Sequence, residues 1–187
     1  MHGLANKPWT YMTYAPDTVP GAFGPFANFI RLWNRKRRSL GRMPAWRDYD
    51  FYEFQDWWGR VSLAEVRRQP LDIHFILWGT HLTDWWGTDY TRKSLAKKPI
   101  KPNVWDENEQ RFFQHFVTQP SIGYSEGPLD AYGRGFYLVR GIDLPLMTDG
   151  VITHILSAYD KAAEEDGEDE TDEAAWIRPT AEPSASF

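Results

Sequence analysis

The run Asp72-Ile73-His74-Phe75-Ile76-Leu77-Trp78 is rich in β-branched and aromatic side chains, and it stops at Gly79. So short a run of that composition favours a strand over a helix. Immediately beyond it the spacing changes. Leu82, Trp85 and Trp86 recur on one side of a helical projection, Thr80 offers a hydroxyl to cap the turn, and Gly87 closes it. Together the two elements make one wall of a candidate pocket.

The flanking sequence supplies the rest of that sheet. Val61 to Arg68 reads as a strand, and Gln69-Pro70-Leu71 turns it into the run at 72, which predicts an antiparallel hairpin. The polar stretch 88–103 follows, and then Asp106 to Val117 reads as a helix with Phe112, Phe113, Phe116 and Val117 on one side and Pro120 at its end. Ile122 to Pro128, Gly135 to Leu146 and Val151 to Tyr159 read as three strands, the last two joined by the turn Thr148-Asp149-Gly150. The expectation is an α+β fold whose five-stranded antiparallel sheet is split by a helical insertion. Helices precede it: Phe26, Phe29, Ile30 and Trp33 have helical spacing and run into the basic cluster Arg35-Lys36-Arg37-Arg38, which complements a helix C-terminus. Asp50 caps a second short helix carrying Phe51, Phe54, Trp57 and Trp58.

Certain of these residues form a pattern. Arg42-Met43-Pro44 with Arg47, Asp48 and Asp50, then Gly79-Thr80, then Gly87-Thr88-Asp89-Tyr90-Thr91 with Leu95, and finally Leu144-Pro145-Leu146 before Gly150, resemble the landmarks of a PAS-like domain family found widely in alphaproteobacteria. The likeness spans roughly residues 26 to 160. Arg92 stands where that family usually has glycine, and Phe51 where a proline often follows the acid. The resemblance implies a PAS-type fold with flanking helices and a sensing or regulatory role. It implies no particular reaction.

Residues 1 to 25 hold Pro8, Pro16, Pro20 and Pro25 with Gly21 and Gly24, and are expected to form an aromatic, proline-rich arm outside the domain at 26–160. Residues 161 to 187 contain the block Glu164-Glu165-Asp166-Gly167-Glu168-Asp169-Glu170, whose self-repulsion predicts a disordered acidic tail. The net charge of −5 argues against general nucleic-acid affinity. The chain has no cysteine, which rules out thiolate chemistry and cysteine-ligated metals. Its first residues lack the apolar core of a signal peptide, and no run approaches the length of a membrane span, so the expected location is cytoplasmic.

For chemistry, the five histidines His2, His74, His81, His115 and His154 have no metal-binding spacing, and no nucleophile elbow, P-loop or dinucleotide fingerprint is present. The sequence therefore makes no positive case for an enzyme, and it identifies no cofactor. Ten tryptophans in 187 residues point instead to an aromatic recess. The candidate ligand-binding residues are Trp78, His81, Trp85, Trp86, Tyr90 and Phe113, with His81 or Tyr90 as polar anchor for a small, largely apolar ligand. An aromatic stripe at helical spacing is usually packing, so a core filled by its own side chains is the plainer explanation. Three readings follow: a ligand-binding PAS-like sensor that signals through an unidentified partner protein, a PAS-like interaction module with a filled core, and a small-molecule enzyme on an α+β cone. A homodimer is expected, through the arm and the helix carrying Trp33.

Overall fold

The computed structural model describes residues 8–97, 106–163 and 178–187. Its strands are β1 (Thr10–Tyr14), β2 (Val61–Arg67), β3 (Asp72–Trp78), β4 (Ile122–Leu129), β5 (Arg134–Thr148), β6 (Val151–Ala163) and β7 (Ala185–Ser186). Its α-helices are α1 (Ala27–Leu40), α2 (Thr80–Trp86) and α3 (Glu107–Phe116). Among the described residues the strands form one antiparallel sheet in the order β3-β2-β6-β5-β4-β1-β7.

The α+β class holds, but the sheet has seven strands where five were expected. The expected five, β2 to β6, lie side by side, and β1 and β7 extend them at the β4 edge. The supposed arm thus supplies a strand. Its prolines bracket the segment 9–15, leaving those residues free to pair, and Thr10 to Tyr14 meet Glu126 to Ile122 in register. Backbone groups of β4 that an edge would leave open are satisfied this way.

Each face of the sheet is covered. One face carries Ile122, Tyr124, Ile142, Leu144, Leu146 and Leu156, and packs against Phe29, Ile30 and Trp33 of α1 and against Phe54 and Trp57 of the 3₁₀ segment Phe51–Trp57. Asp50 caps that segment through Tyr52 N at 3.0 Å. Trp33 is wholly buried, with its indole N–H donating to Pro145 O at 3.2 Å, so the surface it was expected to offer a second subunit is consumed inside the chain. The basic cluster does more than face a helix end: Lys36 pairs with Glu53 at 2.8 Å and Arg37 pairs with Asp17, tying α1 to the segments on both sides. The other face is roofed by α2 and α3, with Leu82, Trp86, Phe112 and Phe116 buried there.

Residues 178–187 are docked, whereas an undocked tail was expected; the acidic block at 164–170 lies outside the described residues. Thr180 N donates to Ala22 O, Ser184 N to Thr13 O and Phe187 N to Tyr11 O. Arg178 reaches the fully buried Glu126, its Nε 2.6 Å from Oε1. A hydrogen bond to a buried charge is worth about 1.5–3 kcal/mol. Deleting residues 178–187 is therefore expected to lower the Tm by several degrees, at about 2–4 °C per kcal/mol for a chain of this size, with Arg178→Ala giving part of the loss. Calorimetry in which the shortened chain melts with the full one would contradict this docking.

Candidate ligand-binding site

The strands that present large apolar residues to α1 carry, midway along their length, small or polar ones on the face toward α2 and α3. On β4 these are Gly123 and Ser125, on β5 Gly141 and Asp143, and on β6 Ser157 and Tyr159, aligned by the register pairs Ser125 with Gly141, Gly141 with Tyr159, and Asp143 with Ser157. Space remains above Ser125, Asp143 and Tyr159. A cavity of about 520 Å³ lies between this floor and the two helices. Glycine is needed at two points of the floor. A Cβ on Gly141 would stand 2.8 Å from the Tyr159 ring, and one on Gly123 would stand 2.7 Å from Phe112.

Aromatic rings make the walls. On the β3 and α2 side, Trp78 lies 4.9 Å from Phe75, 5.3 Å from Trp86 and 5.1 Å from Tyr90, ring centre to ring centre. Trp86 reaches Tyr159 at 5.4 Å, and the hydroxyls of Tyr90 and Tyr132 share a hydrogen bond of 2.6 Å. Across the cavity stand Phe113 of α3 and the pair Trp9 and Tyr11, stacked at 6.1 Å. Trp9 is held by its indole N–H donating to Pro128 O at 2.8 Å, over a glycine, Gly127, whose lack of a Cβ admits the ring.

Four of the residues singled out from the sequence, Trp78, Trp86, Tyr90 and Phe113, line this cavity; His81 and Trp85 do not. Only Leu82 and Trp86, one turn apart, face the sheet, and the side chains one position earlier point past it. His81 is exposed and packs against Gly59, and Trp85 is half-buried beneath Lys161, whose Nζ lies 5.6 Å from the ring centre. His81 is thus no polar anchor for anything in the cavity. Nor does Thr80 cap α2: Gly79 occupies the N-cap and Thr80 is the first helical residue. His74 and His154 flank Glu65 on β3 and β6, and neither lines the cavity.

The polar groups that do line it were not singled out from the sequence. Asp143 is buried in the floor, its Oδ1 accepting from Ser157 Oγ at 2.5 Å. Burial pushes its carboxyl up to about 6, against the pull of the Ser157 hydrogen bond, and Glu109 of α3 adds to the rise. Asp106 and Asp130 are exposed at the mouth. Burial also raises the phenols of Tyr11, Tyr132 and Tyr159, and pushes Tyr90 up to about 12, so all four remain neutral at physiological pH. The Trp78 indole N–H is buried with no acceptor among the described residues. The signal for this floor was present in Gly123-Tyr124-Ser125-Glu126-Gly127 and Gly141-Ile142-Asp143-Leu144, where small or polar residues alternate with large ones.

No protein-family model, no curated protein and no solved structure matches this chain. What the site can do must be read from its own groups. Among the described residues no three His, Asp or Glu side chains converge to hold a metal ion, and no helix is long and apolar enough to cross a membrane.

Asp143 also gives the protein a pH dependence. Its carboxyl titrates near 3.8 when free and near 6 in the fold, so the native state holds the extra proton between those values. The stabilisation is complete below the lower value and is lost as pH rises through the upper one, a difference of about 3 kcal/mol. Glu109, Tyr11 and Tyr159 are the other titratable groups that face it from α3, β1 and β6. Asp143→Asn is expected to remove this contribution, making the empty protein more stable than the parent at pH 8 and little changed at pH 4. Urea unfolding across that range checks it, and parallel profiles for the two proteins would refute it.

Proposed function

We propose that the chain is a PAS-like sensor or regulatory domain that takes a small, largely apolar molecule into the cavity and passes its occupancy to a partner protein. The observation that carries this reading is the 520 Å³ recess between the sheet and the α2 and α3 roof, a volume in the range of small-molecule sites. Support comes from the order of elements: a hairpin, two helices and a three-stranded meander, as expected of a PAS-like domain. Further support lies in the residues that carry the resemblance, which fix turns and caps. Arg42 grips Asp48 at 2.7 Å, Gly87 ends α2 at φ 67°, and Asp89 accepts from Thr91 N at 2.8 Å. Arg92, which replaces the usual glycine, takes φ 65°, in the region that favours glycine.

The cavity also offers a route for a signal. Trp9 and Tyr11 of its wall belong to the β1 segment, and β1 pairs with β7, which belongs to the docked 178–187 segment. A molecule that binds one arrangement of these rings better than another shifts the packing of both chain ends by its differential affinity. Ser125→Phe, placed on the cavity floor, fills the space. The intact protein is expected to carry a molecule through native mass spectrometry, or to gain Tm from members of a small aromatic library, with slower amide exchange over residues 8–14 and 178–187; the filled variant should show neither effect. If no compound binds the intact protein, the sensor reading is wrong.

A second reading, the interaction module, is favoured by one surface. Phe51, Tyr52 and Trp58 are 44%, 70% and 44% exposed and cluster together, with Phe51 stacked on Trp58 at 5.6 Å. Three clustered exposed aromatics mark a contact surface. On this reading the protein is a homodimer in light scattering at micromolar concentration, and Tyr52→Ser with Trp58→Ser returns it to the monomer mass. A monomer in the unsubstituted protein would exclude it.

A further inference from the structure

We infer that the molecule this cavity takes is an organic cation, an ammonium-bearing compound whose charge sits among aromatic ring faces above Asp143 while its apolar body fills the space beneath α2 and α3. This rests on the ligand-binding reading and narrows it to one chemical class.

The lining decides the class. Of the cavity's described lining residues nine are aromatic and four are carboxylic acids, none is lysine or arginine, and Leu95 is the one branched aliphatic. A site built for a hydrocarbon chain has no use for a buried carboxylate, and an anion would meet Asp143 as a like charge. Ring faces carry negative quadrupole charge and attract ammonium groups, most strongly where water is excluded. Phe75, Trp78, Trp86 and Tyr90 form one contiguous group with centres 4.9–5.6 Å apart, and Tyr159 joins it at 5.4 Å from Trp86, so a cation entering there meets several rings at once.

Asp143 supplies the second, independent observation. It is 5% exposed, it lines the cavity, and no basic side chain among the described residues pairs with it. Elsewhere the chain pairs its buried charges: Glu126 has Arg178, and Arg140 has Asp160 at 2.7 Å. An acid buried away from water with only a serine donor is destabilising, and a buried charge is retained where a counter-charge meets it. A bound ammonium group is that counter-charge.

The test uses the full-length protein with two probes of matched shape, benzyltrimethylammonium and its uncharged carbon isostere neopentylbenzene, followed by tryptophan fluorescence. The expected result is at least tenfold tighter binding of the cation, with the preference abolished in Asp143→Asn. Trp86→Leu keeps an apolar wall but removes a ring, and should weaken the cation more than the isostere. Because Asp143→Asn is expected to stabilise the empty protein, its loss of binding would not be a folding failure. Equal affinity for the two probes, unaltered by Asp143→Asn, would overturn the cation inference and leave the apolar pocket standing. Binding of neither probe would overturn the inference as well, and the same protein's failure to bind any library compound would then remove the pocket reading too.

Discussion

The two-residue period of β4, β5 and β6 is the constraint on which the rest of this molecule depends. Each strand must serve two unlike environments at once. Tyr124, Ile142 and Leu156 fill the face beneath α1, while Ser125, Asp143 and Ser157, one step along, leave the opposite face hollow. A slip of one residue in the pairing would exchange the faces, burying Asp143 under α1 and turning Ile142 into the cavity. The bulges between Leu146 and Met147 and between Pro128 and Leu129 lie at the ends of these ladders, outside the rows that make the floor. Register, more than any single contact, is what maintains an open volume in a chain otherwise crowded with aromatic rings.

The open edge of that sheet is handled by the chain ends. β1 completes β4, β7 completes part of β1, and the ion pair between Arg178 and Glu126 anchors the arrangement on the α1 side. Tyr124 also donates to Glu126, at 2.8 Å, and Glu126 faces Arg140 in register, which in turn holds Asp160. Charge is therefore threaded through one side of β4 while its other side bounds the cavity. The two termini share a strand pair with the cavity wall, so whatever alters the wall reaches them through backbone hydrogen bonds rather than through a long chain of side chains.

Most of the element order was legible because apolar runs and their breakers were well separated. Gly79, Gly87 and the turn at Asp149-Gly150 mark boundaries that the structure keeps, with φ 67° at Gly87 and 78° at Gly150. Less legible was anything that depends on long-range pairing. The segment 9–15 looks like part of an arm when proline density is averaged over 25 residues, and its role as a strand follows only from β4 lying open beside it. Part of the site is hidden for the same reason. Helical and strand spacing points to Trp78, Trp86, Tyr90 and Phe113, but it points equally to His81 and Trp85, because a seven-residue helix leaves the inward direction poorly fixed by its own sequence. Asp143 carries no such signal, because a lone aspartate in a strand resembles any solvated acid until the neighbouring strands show which face it is on.

The balance at Asp143 connects stability with occupancy. Burial opposes the ionisation of this carboxyl, and the Ser157 hydrogen bond offsets part of that cost. Substituting a neutral amide would relieve the opposition and make a better-folded but charge-blind protein. A chain under pressure only to fold would drift toward that amide, or toward the isoleucine and leucine that flank the position. Rings that could have closed over the floor instead stand back from it, held by the hydroxyl pair of Tyr90 and Tyr132 and by the Trp9 bond to Pro128. Stability withheld at a single acid, beneath aromatic walls propped apart, is the arrangement expected of a site whose missing charge arrives with its ligand.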